Sequence, residues 1–273
     1  MRLGRISYVN CYPVYTALDR GVVACPATIV TGTPSELNDR LADGRIEVSV
    51  VSAVAYAQHG GLFELLPDLA ISSDGPVRSV LLFSRRPPAE LDGERVLVST
   101  SSRTSVLLLE LLARELWGVS IELAQAPAEP GDLERLAAVP HEAVLVIGDA
   151  ALLLGARHVY PYVTDLGEAW KAWTGLPFVF AVWAARRDAD RAAVRDVHRA
   201  LLASRKWGLA HLDELAELAA SNTGVDRPAC AEYLSGLDYG LSYRHLAGLT
   251  DFLRRLAARG VVPDGTLAFV GAA

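Results

Sequence analysis

Short strand segments alternate with helix segments from the first residues of the chain, and this alternation limits it to an α/β fold. The strand predicted at residues 3–7 is followed by the polar pair Asn10 and Cys11 and by Pro13, which is typical of a first helical turn. Open α/β sheets present ligand-binding groups at the carboxyl ends of their strands, where helices begin. The sequence therefore predicts an α/β protein that binds a small ligand at its strand ends.

Two helix starts can be located from their capping residues. Thr33 is followed by Pro34 and Glu36, which predicts a helix that runs to residue 42 and ends at Gly44. Ser52 follows an apolar strand and is predicted to cap the next helix. The other predicted elements are the strands 28–30, 47–51, 69–72, 77–83, 95–98, 121–123, 143–147 and 158–162 and the helix 105–117. Beyond residue 183 the apolar residues recur at helical spacing, which predicts a helical C-terminal segment.

Two interruptions in this alternation predict a division into two lobes. The first is the Arg-Arg-Pro-Pro run at 85–88, and the second is the apolar run at 178–183. We expect the chain to cross between lobes at these points, so that lobe 1 comprises residues 1–86 and 182–273 with the C-terminal helices, and lobe 2 comprises residues 87–181. Two crossings between α/β lobes indicate a two-lobed clamshell with its ligand cleft between the lobes.

Composition narrows the class of partner. With 51% hydrophobic and 21% charged residues the chain has the make-up of an ordinary globular protein, and its apolar stretches, such as 143–147, are far shorter than a membrane span. The net charge of −6 and the lack of a basic stripe argue against a nucleic-acid partner. An anionic small ligand remains compatible with this charge, because a few local hydrogen-bond donors can outweigh it.

The N-terminal segment and the cysteines predict a cytoplasmic location. No basic segment followed by an apolar one precedes the first strand, so we expect no export signal. Cys11, Cys25 and Cys230 are odd in number and widely spaced, and we expect them to be reduced thiols.

The sequence lacks the common catalytic signatures. It contains no GxGxxG, no phosphate-loop lysine motif, no HExxH and no GxSxG. Its six histidines are scattered, and none forms a pair with metal-ligand spacing. We therefore expect neither a cofactor nor a metal.

A dense group of small polar residues lies at 99–105, between a predicted strand and a long amphipathic helix. The free N–H groups at that helix start, together with the hydroxyls of Thr104 and Ser105, would bind a carboxylate. Thr100 and Arg103 belong to the same group of candidate binding residues. The alternative is a simple helix cap with a polar loop, which is a common structure.

Four other polar residues lie at junctions, and each has two interpretations. Asn10 is either a turn residue or a ligand-binding amide, and Ser52 is either a helix cap alone or a contact as well. Ser79 is either a small residue within an apolar strand or a hydroxyl directed into the cleft. Asp149, after Gly148, is either a helix cap or a contact in the cleft. Cys11 lacks a paired histidine in the sequence, which disfavours a nucleophilic role.

These junctions resemble those of a known family. The similar segments span most of the chain in order: GRISYVN at 4–10, GTPSELN at 32–38, VRSV at 77–80, SRTS at 102–105, IGDA at 147–150 and WKAWTGLPFVFA at 170–181. They resemble the chorismate dehydratases of the futalosine route to menaquinone. The resemblance implies a periplasmic-binding-protein-like (type II) fold used as a cytoplasmic enzyme, which removes water from chorismate to give 3-[(1-carboxyvinyl)oxy]benzoate.

The resemblance also implies roles for the junction residues. Asn10 and Ser79 match active-site positions of the family and are predicted to be catalytic, near the departing hydroxyl. The residues expected to bind substrate are Ser52, Thr100, Arg103, Thr104, Ser105 and Asp149. Neither Asn10 nor Ser79 is a natural proton acceptor at neutral pH. The base is therefore open, and one candidate is the substrate's own enolpyruvyl carboxylate.

Two other functions stay open at this point. A sister family makes 1,4-dihydroxy-6-naphthoate in the same pathway, but a Cys-Pro-Asn-Asp-like turn and a catalytic histidine are expected there, and this chain has Val-Asn-Cys-Tyr at 9–12. A non-catalytic cytosolic protein that binds small anions would have the same clamshell and helix ends. The sequence makes no prediction of oligomeric state.

Overall fold

Two separate sheets organise the chain in the computed structural model, which describes residues 1–99 and 102–271. The first sheet has the order β2-β1-β3-β10-β4, and the second has the order β7-β6-β8-β5-β9. The strands are β1 (Arg2–Ile6), β2 (Thr28–Gly32), β3 (Val48–Ser52), β4 (Phe63–Ser73), β5 (Val80–Ser84), β6 (Arg95–Ser99), β7 (Glu122–Ala126), β8 (Ala143–Ile147), β9 (Tyr162–Asp165) and β10 (Phe178–Arg186). Three neighbouring strands are parallel in each sheet, and the fourth runs antiparallel to them. This is the predicted two-lobed α/β architecture.

Helices connect and cover the strands. They are α1 (Tyr12–Asp19), α2 (Pro34–Ala42), α3 (Ala53–Gln58), α4 (Arg103–Leu112), α5 (Leu133–Ala138), α6 (Gly148–Ala156), α7 (Leu166–Thr174), α8 (Arg191–Leu209), α9 (Leu212–Thr223), α10 (Arg227–Gly236) and α11 (Tyr243–Ala258). A short 3-10 helix, Val9–Cys11, precedes α1, and one π-helical turn, Ala113–Trp117, extends α4. None of the helices in the described ranges is long and apolar enough to cross a membrane.

Local capping fixes the helix starts that the sequence predicted. The Thr33 hydroxyl accepts a hydrogen bond from the Glu36 N–H at 3.3 Å, and the Glu36 carboxylate accepts one from the Thr33 N–H at 2.9 Å. This reciprocal pair is a capping box, and it starts α2. The Ser52 hydroxyl accepts from the Ala55 N–H at 3.2 Å, so Ser52 caps α3 as predicted.

The chain crosses between the two sheets at other positions than the predicted ones. β5, which we expected in the first lobe, pairs antiparallel with β8 and β9 in the second sheet. β10 lies wholly in the first sheet, between β3 and β4. The crossings therefore fall at residues 74–79 and 175–177. The Arg-Arg-Pro-Pro run only ends β5, where the Arg85 N–H donates to the Glu142 carbonyl at 2.9 Å inside the second lobe.

The four C-terminal helices extend the first lobe. In α8 the predicted apolar face, Val194, Val197 and Leu201, is buried. A Cβ at Gly208 would lie 2.1 Å from the Pro13 carbonyl oxygen, so only glycine allows α8 to approach α1 this closely. One hydrophobic core runs through both lobes, and a smaller cluster lies in the second lobe.

Candidate active site

A cleft opens where the strands of both sheets end. Parallel strands within one sheet place their carboxyl ends on one edge, and β1, β3, β6 and β8 all lead into helix starts there. The cleft has an empty volume of about 600 Å³, its open mouth included. Its lining residues with polar side chains are Tyr8, Asn10, Ser52, Ser79, Ser102, Thr104 and Ser105. Of the described residues that line it, none is Asp, Glu, His, Lys or Arg. Hydroxyls, one amide and backbone groups therefore supply its polarity.

Asn10 lies in the short 3-10 helix directly after β1. That turn is closed by a hydrogen bond of 3.0 Å from the Cys11 N–H to the Tyr8 carbonyl. The Asn10 amide oxygen is buried and has no hydrogen-bond partner among the described residues. A buried acceptor without a partner is unfavourable by itself, so this oxygen is suited to a hydrogen bond from a ligand.

Ser79 immediately precedes β5 and is buried, with only 3% of its surface exposed. Its backbone position is fixed on both sides. The Asp165 carboxylate accepts from the Val77 and Arg78 N–H groups at 3.1 and 2.6 Å, and the Ser79 carbonyl accepts from the Gly148 N–H at 2.7 Å. Arg78 has a φ of 60°, a left-handed conformation that residues other than glycine rarely adopt. The sequence predicted Ser79 inside the strand, and the structure places it at the strand's entry, facing the cleft.

The starts of α3 and α4 meet at the cleft from opposite lobes. Ser52 caps α3, and the Ser102 hydroxyl caps α4 by accepting from the Ser105 N–H at 3.2 Å. The Thr104 hydroxyl accepts from the Val54 N–H at 3.1 Å, which joins α4 to the start of α3. The N-terminus of α4 carries partial positive charge, which favours an anion there. Ser52 therefore caps a helix as predicted and also lines the cleft.

Asp149 connects the second lobe to the first. Its carboxylate accepts from the Val9 N–H at 3.0 Å, at the start of the short 3-10 helix that contains Asn10, and it is not the N-cap of α6, which is Ile147. Burial raises the pKa of Asp149 to about 6, the Val9 hydrogen bond opposes this shift, and the charge of Glu129 adds to it. Gly148 has a φ of +62°, and a Cβ there would lie 3.0 Å from the Tyr8 ring. The Tyr8 hydroxyl in turn donates to Glu129 at 3.0 Å.

Two of the predicted binding residues within the described ranges, Arg103 and Asp149, do not line the cleft. Arg103 is exposed, and its guanidinium lies 3.5 Å from the Gln58 side-chain oxygen and 3.9 Å from the Asp39 carboxylate. Thr100 lies outside the described residues. The predicted polar group at 99–105 included Ser102 without giving it a role, and Tyr233, which donates to Ser79, was not predicted at all. Ser102 could have been found as the cap three residues before Ser105, whereas Tyr233 carries no local signal.

Two further structural facts bear on the choice of site. No group of three His, Cys, Asp or Glu side chains in the described part of the chain could hold a metal ion. A larger groove, with an empty volume of about 1460 Å³, lies between α3, α11 and residues 263–268. None of the predicted catalytic or binding residues lines that groove.

Two α/β lobes around a cleft of hydroxyls and helix starts define a periplasmic-binding-protein-like fold. The chain matches the solved structure of the alkanesulfonate-binding protein of Xanthomonas axonopodis pv. citri bound to MOPS, with a TM-score of 0.70 and 16% identity over 98% of this chain and 96% of that one. A solved protein of Archaeoglobus fulgidus matches with a TM-score of 0.79 and 21% identity, over 96% of this chain and 98% of that one.

The chain belongs to a family described as menaquinone biosynthesis, whose model matches residues 1–258. A chorismate dehydratase of Thermus thermophilus is 35% identical over 244 residues, which cover 84% of this chain and 86% of that protein. A 1,4-dihydroxy-6-naphtoate synthase of the same organism is 30% identical over 224 residues, which cover 78% of this chain and 76% of that protein. The family and fold implied by the sequence resemblance are confirmed.

Proposed function

We propose that this protein is a chorismate dehydratase, a hydro-lyase that removes water from chorismate to give 3-[(1-carboxyvinyl)oxy]benzoate on the futalosine route to menaquinone. The observation that carries the proposal is the pairing of Asn10 and Ser79 with the start of α4 in one cleft. The family and the 35% identical chorismate dehydratase support the choice of substrate. We further propose a cytoplasmic location, in keeping with a biosynthetic role.

The cleft suits a small dianion. In the proposed binding mode the ring carboxylate of chorismate accepts hydrogen bonds at the start of α4, with the hydroxyls of Thr104 and Ser105 as further donors. The described lining holds no cationic side chain, so helix-end dipoles and hydroxyls supply the stabilisation. Ile71 and Phe180 contribute an apolar wall for the ring.

The reaction needs little basicity from the protein. Loss of the ring proton at C3 spreads charge onto the ring carboxylate, and the C4–O bond then breaks as the ring becomes aromatic. The proton from C3 and the hydroxide from C4 leave together as water. Ser79 and Asn10 hydrogen-bond the departing hydroxyl, and donors at the α4 start stabilise the charge that develops on the carboxylate.

The proton acceptor is assigned to the substrate in this proposal. The described lining includes no carboxylate or imidazole, which supports the enolpyruvyl carboxylate of chorismate as the base. That carboxylate can then return the proton to the departing hydroxide. Asp149 is the alternative base, since its carboxylate lies beside the Val9 N–H, one residue before Asn10.

The test is to incubate the purified protein with chorismate, without added metal or cofactor, and to follow the products by chromatography and mass spectrometry. The expected product is lighter than chorismate by one water and has the absorption spectrum of a substituted benzoate. Unchanged chorismate at high protein concentration would contradict the proposal.

The second candidate is 1,4-dihydroxy-6-naphthoate synthesis, because a synthase of that name is 30% identical over 78% of this chain. A catalytic histidine was expected for that family. All six histidines lie within the described ranges, and none lines the cleft. Cyclised futalosine is therefore the comparison substrate. Its conversion, with chorismate left unchanged, would favour the synthase, and tight binding without turnover of either compound would favour a binding protein.

A further inference from the structure

Tyr233 reaches the cleft from behind, although it belongs to the C-terminal helices. It lies on α10, and only 1% of its surface is exposed. Its hydroxyl donates to the Ser79 Oγ at 2.9 Å. A single buried phenol thus contacts Ser79, one of the two predicted catalytic residues, without lining the cleft itself.

The direction of this hydrogen bond follows from the chemistry of the groups. Burial raises the pKa of Tyr233 well above its ordinary value, and the hydrogen bond with Ser79 opposes this only in part, so the phenol keeps its proton at neutral pH. The phenol therefore donates that proton to the Ser79 oxygen.

Both predicted catalytic residues keep a group that is available to a ligand. Because the Ser79 oxygen accepts from Tyr233, the serine O–H is available to donate into the cleft. The Asn10 amide oxygen is buried and has no partner among the described residues, so it is available to accept.

A second contact from the same helix supports the arrangement. Glu232, the residue before Tyr233, forms an ion pair with Arg78, the residue before Ser79, at 2.7 Å. Two consecutive residues of α10 therefore hold two consecutive residues of the crossing segment. This contact ties a helix of the first lobe to the crossing segment that leads into β5 of the second sheet.

We propose that Tyr233 is a positioning residue that fixes Ser79 as a hydrogen-bond donor toward the departing hydroxyl of the substrate, an inference that rests on the proposed dehydratase activity. Tyr233 does not line the cleft. It acts through Ser79, and its loss leaves the serine proton free to turn away from the substrate.

The test compares two variants that each remove one buried tyrosine hydroxyl. Tyr233→Phe removes the hydrogen bond to Ser79, whereas Tyr239→Phe removes a buried hydroxyl that has no partner among the described residues. We expect Tyr233→Phe to lower kcat for chorismate about tenfold, with KM within about twofold of the wild type. Tyr239→Phe is expected to match the wild type in both constants. Equal activity of the two variants would overturn the inference.

A double variant separates positioning from a general structural effect. In a Ser79→Ala background, Tyr233→Phe should lower kcat by less than about threefold, because the residue it acts through is gone. An undiminished loss of about tenfold in that background would overturn the inference. Failure of the proposed function has a different signature, since the wild-type protein itself would then leave chorismate unchanged, and the inference would fall with it.

Discussion

The two lobes have the same topology but are supported differently. β2-β1-β3 of the first sheet corresponds to β7-β6-β8 of the second, and each sheet is extended by a strand that enters from the other part of the chain. In both lobes the parallel strands that come first and third along the chain lead into helix starts at the cleft. These are β1 and β3 in the first lobe and β6 and β8 in the second. The first lobe is also covered by α8 to α11, and one of these helices brings Tyr233 to Ser79. A repeated fold can therefore place equivalent strand ends on both sides of a cleft and still give them different roles.

In our proposal this difference assigns chemistry and binding to different sides. Asn10 and Ser79 line the cleft, and the C-terminal helices hold Ser79 through Tyr233. The α4 start of the second lobe presents hydroxyls and N–H groups that suit a carboxylate. Variants on the first side should lower kcat, and variants on the second should raise KM. The predictions below test this division, from the largest expected effect to the smallest.

Asn10→Ala should have the largest effect. Loss of the amide removes the acceptor that we propose orients the C4 hydroxyl for departure, so kcat for chorismate should fall roughly 100- to 1,000-fold, which is about 3 to 4 kcal/mol. Steady-state kinetics measure this, with Asn222→Ala, which removes an exposed amide, as the control. Near-normal turnover by Asn10→Ala would contradict the proposed division of chemistry and binding between the two sides of the cleft.

Asp149→Asn should change the pH dependence of stability. Because the folded-state pKa of Asp149 is about 6, above its ordinary value of 3.8, the folded protein loses stability as pH rises between these values. The variant lacks this loss and keeps an oxygen that can accept from the Val9 N–H. Its free energy of unfolding should equal that of the wild type below about pH 4 and exceed it by at most about 3 kcal/mol above about pH 6.

Urea unfolding across this pH range measures the difference. Asp226→Asn, which removes an exposed carboxylate, is the control for the loss of one negative charge. A constant difference between Asp149→Asn and the wild type at every pH would contradict the assigned burial of Asp149.

Gly148→Ala should weaken the contact between the lobes. Alanine at a φ of +62° is strained, and its Cβ would lie 3.0 Å from the Tyr8 ring. Gly118→Ala is the matched control, because it has a φ of +70° and nothing within 4 Å of the added Cβ. We expect losses of about 2 kcal/mol for Gly148→Ala and about 1 kcal/mol for Gly118→Ala. Equal losses in urea unfolding would mean that Tyr8 does not pack against Gly148 in solution.

Thr104→Val should have the smallest effect and should appear in binding. It removes the acceptor of the Val54 N–H and one donor to the substrate carboxylate while keeping the shape of the side chain. KM for chorismate should rise about fivefold, which is about 1 kcal/mol, with a smaller change in kcat. Thr104→Ser keeps the hydroxyl and should restore KM. A fall in kcat without a change in KM would place Thr104 on the chemical side instead.

Local signals in the sequence predicted much of the fold. The capping residues Thr33 and Ser52 act within one turn of a helix, so their effect can be read from neighbouring residues. The rule that polar residues at strand ends line a cleft also applied to Asn10, whereas Ser79 was expected inside a strand and entered the predicted site through the family resemblance. These predictions needed no knowledge of strand order.

The features that were missed depend on distant contacts. The two prolines at 87–88 indicate only that a strand ends, and pairing with β8 decides which sheet β5 joins. The strand predicted at 158–162 begins at Tyr162 instead, after α6 and a turn. Tyr233 lies 154 positions after Ser79, and a tyrosine on an amphipathic helix is indistinguishable from an ordinary core residue until the helix is placed.

The most direct measurement is a crystal structure of the protein soaked with 3-[(1-carboxyvinyl)oxy]benzoate, the product of the proposed reaction. The predicted result is one molecule in the cleft between the lobes, with its ring carboxylate at Thr104 and Ser105 and its C4 edge toward Asn10 and Ser79. An empty cleft at saturating product, or product bound only in the groove between α3 and α11, would contradict the assignment of this cleft as the active site.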